Sequence, residues 1–371
     1  MMANRTQKAL VIPSAKAPIE LRDIIVPTPG KGEVLIKIMA VGLNPMDPMR
    51  HMMDFLIPEY PAVLGSDIAG VIEELGQDVT AFHVGDEVFV QTLGDGYQEY
   101  VVLPTSILIR KPQNVTFDEV ATMPITFTTS CVGLFAPAPL GLGLNPTFSF
   151  NKPQAGKSAL VIGAGTSCGQ FAIQLLKFAG FSTIVAYASE KHTDYLQSLG
   201  ATLVIDRNAT PLGDLAAFPA LQGLAGTLDV VFDTALGLGP PKAEDAKPVD
   251  IAYDLVKSYG AVLTVNPRFV LSRSGKEGVQ VMATLGWYAG PDIFPPKRPF
   301  PGYAATAEHT KFGKVMIQAL PELLENRVIV GNRTEVLPDG LHGVNAGLTR
   351  WFSGAGVSGV KLIGRPQETI T

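Results

Sequence analysis

The residues best suited to chemistry lie in the segment KSALVIGAGTSCGQFAIQLLKFAG, where an apolar strand pattern leads through Gly163 and Gly165 into an amphipathic helix pattern. Glycine lets the backbone turn and approach a ligand where a side chain would collide. The amides that open such a helix, from Thr166 to Gly169, present partial positive charge to phosphate oxygens. A short Gly-x-Gly also occurs in purely structural turns. Its place between strand and helix nevertheless predicts a binding site for the pyrophosphate of a dinucleotide.

The end of the second strand in this region indicates which dinucleotide binds. An NAD site usually places an acid there to hold the ribose hydroxyls, whereas an NADP site leaves the point neutral and adds cations for the extra phosphate. Here the strand pattern ends at Ala188-Ser189, and Lys191 follows closely. We interpret Glu190 as a helix-start acid that faces the helix dipole rather than as a ribose ligand. The pattern favours NADPH.

Two different patterns of predicted secondary structure surround these residues. The first third alternates short strand patterns with glycine turns, which predicts an antiparallel barrel. From Lys157 the pattern alternates strands with helices such as KHTDYLQSLG and DIAYDLVKSYG, which predicts a doubly wound parallel sheet with the nucleotide at its carboxyl edge. We expect an α/β protein with three segments: residues 1–130 as the first part of the barrel domain, residues 131–300 as the nucleotide-binding domain, and residues 301–371 as the end of that domain and a return to the barrel.

Composition excludes several classes of protein. The chain has 371 residues, 46% of them hydrophobic and 17% charged, with a net charge of −5, as expected of a compact folded protein. Its Lys and Arg residues are scattered, so we expect no nucleic-acid partner. Cys131 and Cys168 are too few for a disulfide framework or a four-thiolate zinc site. The N-terminal segment lacks the apolar core of a secretory signal, so the expected location is cytoplasmic.

A run without charged residues extends from Val120 to Asn151 and is longer than a bilayer-spanning helix requires. We expect no membrane partner, because several prolines interrupt the run and would break a spanning helix. These prolines are Pro124, Pro137, Pro139 and Pro146. Its Thr and Gly content predicts irregular buried backbone instead.

Five motifs follow one another along nearly the whole chain: VLIKIMAVGLNPMD, LGSDIAGVIEELGQDVTAFHVGDEVF, YQEYVVLPTSILIRKPQNVTFDEVATMP, the dinucleotide turn and SGVKLI. In these motifs and their order the chain resembles the medium-chain dehydrogenase/reductase superfamily, which implies a GroES-like β-barrel catalytic domain and a Rossmann-type domain. Within the superfamily it most resembles the stand-alone fungal enoyl reductases that act in trans with polyketide synthases. That likeness rests on Asn44-Pro45-x-Asp47, Leu140-Gly141-Leu142, Val265-Asn266-Pro267 and LGWYAGPDIF.

The chain differs from the zinc alcohol dehydrogenase branch at the metal ligands. Asn44 stands where that branch has a zinc-binding Cys, and Gly65-Ser66-Asp67 stands where it has Gly-His-Glu. Zinc chemistry needs thiolate and imidazole at these points. The five histidines show no metal spacing and are interpreted as surface or helix-end residues: His51, His83, His192, His309 and His342. We expect no metal.

The resemblance also implies which residues bind NADPH. It places Ser189, Lys191, His192 and Arg207 around the 2′-phosphate, where Arg207 replaces a common Tyr and adds positive charge. It places the remaining contacts along the turn and at the nicotinamide end: Gly163, Gly165, Thr166, Ser167 and Cys168 at the turn, and Asn44, Thr129, Val265, Asn266, Gly359 and Val360 at the nicotinamide. For Asn44, a purely structural turn before Pro45 is an equal alternative.

Without zinc, the expected reaction is conjugate reduction, in which hydride from the nicotinamide reaches the β-carbon of an enoyl or enone group. The proton donor is unassigned. Tyr60 is the most attractive phenol by position, although packing is its more common role, and bulk water is an alternative. Asp67 is interpreted as a structural hydrogen-bond acceptor. Trp287, Tyr288 and Phe294 either line a channel for an acyl chain or pack between domains.

Three hypotheses follow for the function. The first is an NADPH-dependent enoyl reductase whose acyl substrate is held on the carrier protein of a polyketide synthase. The second is a quinone or free enone oxidoreductase, and the third is a non-catalytic nucleotide-binding partner protein. The expected oligomeric state is a monomer or a homodimer, and the sequence does not decide between them.

Overall fold

The computed structural model describes residues 5–224, 226–235, 247–286, 307–350, 353 and 356–370. The chain divides into two compact units. The first unit is discontinuous and comprises Met1–Ile125 and Ala289–Thr371, and the second comprises Thr126–Tyr288.

The first unit is built mainly from β-strands. Its elements in chain order are β1 (Thr6–Ile12), β2 (Glu20–Ile25), β3 (Glu33–Gly42), α1 (Met46–Met53), β4 (Ala62–Val63), β5 (Asp67–Leu75), β6 (Glu87–Gln91), β7 (Tyr100–Pro104), β8 (Ile109–Arg110), α2 (Phe117–Ala121), α8 (Ala307–Glu325), β15 (Thr334–Val336), α9 (Leu341–Leu348) and β16 (Lys361–Gly364). One sheet has the order β2-β1-β4, and a larger one has the order β15-β16-β3-β5-β6-β8, with β7 also paired to β3.

Strand β3 lies in the middle of the larger sheet. Its side chains on the face that packs into the core are apolar. Val34, Ile36 and Ile38 are fully buried and pack in one cluster with Ile68 and Ile72 of β5. All pairs in this unit are antiparallel except β15 with β16. The last strand, β16, pairs with β3, so the C-terminal segment completes a sheet that begins near the N-terminus.

The second unit alternates strands and helices. Its elements in chain order are α3 (Pro124–Phe135, which begins at the unit boundary), β9 (Ser158–Ile162), α4 (Ser167–Ala179), β10 (Thr183–Ala188), α5 (Thr193–Leu199), β11 (Leu203–Asp206), α6 (Pro219–Gln222), β12 (Leu228–Asp233), α7 (Pro248–Leu255), β13 (Val256–Thr264) and β14 (Gln280–Ala283). The strands form one sheet in the order β11-β10-β9-β12-β13-β14, and every pair is parallel.

This strand order reverses direction between β9 and β12, and in doubly wound folds the crevice at such a switch point binds the ligand. Strands β9, β10 and β12 are buried almost throughout, as expected of a parallel sheet covered on both faces. The expected fold class, a GroES-like barrel with a Rossmann-type domain, is confirmed.

Two local predictions were wrong. The helical pattern DIAYDLVKSYG is helical only to Leu255, because Val256 begins β13 and pairs with Leu228 of β12. Strand pairing therefore outweighs the local helical periodicity. The uncharged run from Val120 is not irregular throughout, because α3 occupies Pro124–Phe135. Proline suits the first turn of a helix, where its missing N–H is not needed. No helix in the described ranges is both long enough and apolar enough to cross a membrane.

Candidate functional site

The glycine turn between β9 and α4 has the geometry expected of a pyrophosphate site. Gly163 has φ +72°, a left-handed conformation that favours glycine. Its amide and that of Ala164 both donate to the Tyr187 carbonyl of β10 at 3.1 Å, which fixes the turn at the carboxyl end of the sheet. A Cβ on Gly165 would meet the His192 ring at 3.3 Å. A side chain at position 165 would therefore crowd the His192 ring.

Helix α4 begins at this turn and is closely packed against it. The Thr166 hydroxyl caps the helix by accepting from the Gly169 amide at 3.0 Å. A Cβ on Gly169 would lie 2.6 Å from the Gly163 carbonyl oxygen and 2.7 Å from the Ala164 Cα. Ser167 and Cys168 open the helix and are half-buried. The first amides of the helix are therefore the groups expected to bind a phosphate at this turn.

Thr234 ties the turn to the end of β12. Its hydroxyl lies 2.8 Å from the Ile162 carbonyl oxygen and 2.9 Å from that of Gly163, and it accepts from the Thr166 hydroxyl at 3.0 Å. The sequence reasoning missed this residue. Its position directly after the apolar run LDVVFD, at the predicted carboxyl edge, was the signal that could have found it.

The end of β10 brings together the residues expected at the 2′-phosphate. Lys191 and Arg207 are exposed, Ser189 is half-buried, and His192 is buried against the turn. The Arg207 amide donates to the Ala188 carbonyl at 2.9 Å, so both cations follow adjoining strand ends. Burial raises the pKa of Tyr187, and the nearby Arg207 charge partly offsets that rise.

The residues expected at the nicotinamide end fall in two groups, one in each unit. In the second unit, Val265 is buried just beyond β13, and Asn266 accepts from the Arg268 amide at 3.0 Å. Thr129 is buried on α3, and its carbonyl accepts from the Thr284 hydroxyl at 2.8 Å. The first unit contains Asn44 and, just before β16, a buried Gly359 and a half-buried Val360.

Asn44 belongs to a buried polar cluster that we call the Lys361 cluster: Asn44, Asp67 and Lys361. The Lys361 ammonium donates to Asn44 Oδ1 at 2.5 Å and to Asp67 Oδ2 at 3.0 Å. Asn44 Nδ2 also donates to Asp67 Oδ2 at 3.0 Å, and the Ile125 amide donates to Asp67 Oδ1 at 2.8 Å. Asp67 therefore accepts hydrogen bonds in a structural role. Sequence reasoning missed Lys361, although a lone lysine inside SGVKLI was a visible signal.

A second polar group adjoins this cluster. Asp47 is fully buried and accepts from the Tyr97 phenol at 2.6 Å, from the Asn44 amide at 3.0 Å and from the Ser66 hydroxyl at 3.3 Å. Burial raises the pKa of Asp47 and, together with the Asp47 charge, that of Tyr97. The bonds fix the loop that carries Asn44.

The Tyr60 hydroxyl is hydrogen-bonded to a neighbouring carboxylate. Its hydroxyl donates to Asp54 Oδ1 at 2.5 Å, and burial together with this bond raises its pKa to about 12. A phenol with so high a pKa is a weak acid at neutral pH.

The expected substrate residues Trp287, Tyr288 and Phe294 lie outside the described residues. Across the part of the chain that is described, no group of three His, Cys, Asp or Glu residues is arranged to hold a metal ion.

Asp233, at the end of β12, is a buried carboxyl group beside the glycine turn. Its Oδ1 accepts from the Ala235 amide and its Oδ2 from the Thr264 hydroxyl, each at 3.1 Å. Burial raises its pKa to about 6. In the unfolded chain the carboxyl group loses its proton near pH 4, whereas in the folded protein it keeps its proton up to about pH 6. Between these pH values, ionisation therefore favours the unfolded chain. The free energy of unfolding should therefore fall between these pH values, by up to about 3 kcal/mol.

Asp233→Asn removes this cost, so its stability relative to the wild type should rise between pH 4 and pH 6 and stay constant above about pH 7. Urea denaturation across this range measures the difference. Asp229→Asn on the same strand is the control. Burial opposes ionisation of Asp229, but Lys257 and the Ser158 amide outweigh burial and lower its pKa. Asp229→Asn should therefore lose stability relative to the wild type as the pH rises, and equal slopes for the two variants would contradict the assignment.

Comparison with known proteins agrees with this architecture. The model of the alcohol dehydrogenase GroES-like domain matches residues 30–113. The chain is 35% identical over 218 residues to trans-enoyl reductase tndF of Aspergillus flavipes, covering 55% of this chain and 61% of that protein. It is 30% identical over 323 residues to the chloroplastic NADPH-dependent alkenal/one oxidoreductase of Arabidopsis thaliana, covering 81% of this chain and 75% of that protein.

Among solved structures, the CurK enoyl reductase superposes with a TM-score of 0.71 at 21% identity, covering 97% of this chain and 98% of that one. This likeness concerns the fold alone. The chain matches 58 to 62% of the length of four fungal relatives.

Proposed function

Because the chain belongs to the medium-chain dehydrogenase/reductase superfamily, we propose that it is an NADPH-dependent reductase of carbon–carbon double bonds conjugated to a carbonyl group. The names of its relatives, a trans-enoyl reductase and an alkenal/one oxidoreductase, support an oxidoreductase activity. The choice of coenzyme, the double bond as target and the independence from metal are parts of the proposal.

The choice of NADPH rests on the end of β10. The strand ends at Ala188 and is followed by Ser189 rather than by an acid, and the exposed cations Lys191 and Arg207 follow the ends of β10 and β11. The glycine turn and the first amides of α4 fit the pyrophosphate, because the left-handed Gly163 and its bond to the Tyr187 carbonyl hold the start of α4 at the carboxyl end of the sheet. When bound, NADPH supplies the hydride that reduces the double bond.

The metal-free part of the proposal rests on the Lys361 cluster. Asn44 stands where zinc-dependent relatives carry a Cys ligand, and Asp67 follows Ser66, which stands at their His ligand; both Asn44 and Asp67 are bonded to a buried ammonium. A second cation at this place would meet like charge and would have to displace hydrogen bonds that the cluster already makes. Without a metal ion, the protein would accelerate the reaction by binding and orienting the substrate and the coenzyme and by excluding water.

The protonation step has no assigned side chain. Tyr60 is a poor donor because Asp54 holds its proton. We propose that water delivers the proton to the α-carbon, while amides or hydroxyls near the carbonyl oxygen stabilise the developing negative charge.

We propose as substrate an enoyl thioester, with a polyketide chain held on a carrier protein as the natural form and the cytoplasm as the location. The Aspergillus flavipes relative, named as a trans-enoyl reductase, supports the enoyl group as the target. The Arabidopsis thaliana relative, named as an alkenal/one oxidoreductase, supports the alternative of a free enone.

The test compares NADPH consumption in a stopped-flow instrument with a small enoyl thioester, a free enone and a quinone. The proposal expects turnover of the first two, with the thioester preferred. Faster turnover of a quinone than of every conjugated carbonyl compound would move the assignment to quinone reduction. Tight NADPH binding without oxidation by any of the three would support a non-catalytic nucleotide-binding protein and remove the proposal.

A further inference from the structure

Asp206 is the last residue of β11 and lies beside the expected 2′-phosphate site without belonging to the residues assigned to it. In the parallel register it pairs with Ala188, the last residue of β10. The two strands therefore end side by side. The segment after β10 carries Ser189 and Lys191, and the segment after β11 carries Arg207 and Asn208.

The Asp206 carboxylate joins these two segments. Its Oδ1 accepts from the Glu190 amide at 3.1 Å and from the Asn208 amide at 3.1 Å. We call this arrangement the Asp206 clasp: Asp206 with the amides of Glu190 and Asn208. Charge-assisted bonds of this kind are stronger than neutral ones.

Two further bonds reinforce the clasp. Asn208 Nδ2 donates to the Ser189 hydroxyl at 3.2 Å, and the Arg207 amide donates to the Ala188 carbonyl at 2.9 Å. Three of these bonds cross between the end of β10 and the end of β11, whereas the Asn208 amide bond to Asp206 fixes the turn after β11 itself. The backbone that supports Lys191 and Arg207 is thus held from both sides, although both side chains are exposed.

An acid at this place carries the wrong charge for direct contact with phosphate. Its role is to hold the backbone, because long cationic side chains lose conformational entropy when a ligand immobilises them, and a backbone that is already fixed reduces the total cost. Two amide donors also neutralise part of the carboxylate charge.

We propose that Asp206 is a positioning residue for the 2′-phosphate of NADPH, and that Asn208 supplies a further side-chain donor there. This inference rests on the proposed coenzyme. Asp206 acts through the Glu190 and Asn208 amides, which set the places of Lys191 and Arg207.

The experiment uses two variants of the full chain with opposite expectations. Asp206→Ala removes the acceptor and should raise the KM for NADPH about tenfold while leaving the KM for NADH and the kcat within about twofold. Asp206→Asn keeps an Oδ1 that accepts from both amides and removes the negative charge, so its KM for NADPH should equal or fall below the wild-type value. Asp214→Ala, at an exposed acid in the same unit, is the control and should match the wild type.

Calorimetry with adenosine 2′,5′-bisphosphate and with AMP gives a readout that does not depend on turnover. Asp206→Ala should weaken the bisphosphate about tenfold and leave AMP unchanged. Equal weakening of both ligands, or no weakening of either, would overturn the role of Asp206. If Asp206→Ala does not fold, Asn208→Ala tests the same site, because it should weaken only the bisphosphate, and an unchanged affinity would count against the inference. Failure of the coenzyme proposal itself looks different, because the wild type would then prefer NADH.

Discussion

Gly169→Ala is expected to weaken NADPH binding by about tenfold or more and to lower the free energy of unfolding by about 1–3 kcal/mol. The added methyl would lie 2.6 Å from the Gly163 carbonyl oxygen and 2.7 Å from the Ala164 Cα, so the helix must move away from the turn. Both neighbours are backbone and cannot rotate aside. Moving the helix withdraws its first amides from the phosphate site. Calorimetry with NADPH and chemical denaturation measure the two effects.

The sign of this effect makes it diagnostic, because Gly→Ala within a helix ordinarily stabilises it by up to about 1 kcal/mol. Gly223→Ala is the matched control. A Cβ there has no described atom within 4 Å, and the backbone is right-handed, with φ −80°. This variant should leave NADPH binding unchanged and stability within about 0.5 kcal/mol. If the Gly169→Ala variant bound NADPH as tightly as the Gly223→Ala variant, the first amides of α4 would not be the phosphate-binding groups.

Lys361→Met is expected to lower the free energy of unfolding by about 3–5 kcal/mol, because it leaves the Asp67 carboxylate buried without its cation. The ammonium and carboxylate are 3.0 Å apart, with side-chain exposures of 3% and 0%. Asp67 would retain its bonds from Asn44 and Ile125, but these neutral donors do not replace a full charge. Urea denaturation of the purified variant measures the loss.

Lys31→Met is the matched control for burial. The Lys31–Asp78 pair has the same 3.0 Å separation, but its side-chain exposures are 75% and 56%, so its loss should cost less than about 1 kcal/mol. Adding Asp67→Asn to Lys361→Met should recover part of the stability, because the buried charge is then gone. Similar losses for Lys361→Met and Lys31→Met would show that the Lys361 cluster does not behave as a buried ion pair.

Features set by neighbours in the chain could be predicted from the sequence. The glycine turn, the helix that follows it and the alternation of strands and helices after Lys157 each depend on a few consecutive residues, and the structure has them where the patterns indicated. The local pattern of a segment was insufficient where pairing with strands far away in the sequence decided its secondary structure. The segment after Leu255 is a strand because β12 and β14 flank it.

The same limit applies to the candidate site. Lys361 is 317 residues from Asn44 and 294 from Asp67, so no local pattern could place the three side chains together. Asp206 was passed over because an acid at a strand end is read as a ribose ligand or a turn former. Only the register of β10 with β11 shows that its carboxylate reaches the Glu190 amide.

The most direct measurement follows the hydride itself. NADPH that carries deuterium at the transferable position of its nicotinamide is incubated with the protein and an enoyl thioester, and mass spectrometry locates the label in the product. We expect deuterium at the β-carbon of a saturated thioester. Deuterium on a carbinol carbon, or label transfer from NADH in preference to NADPH, would rule out the proposed reaction.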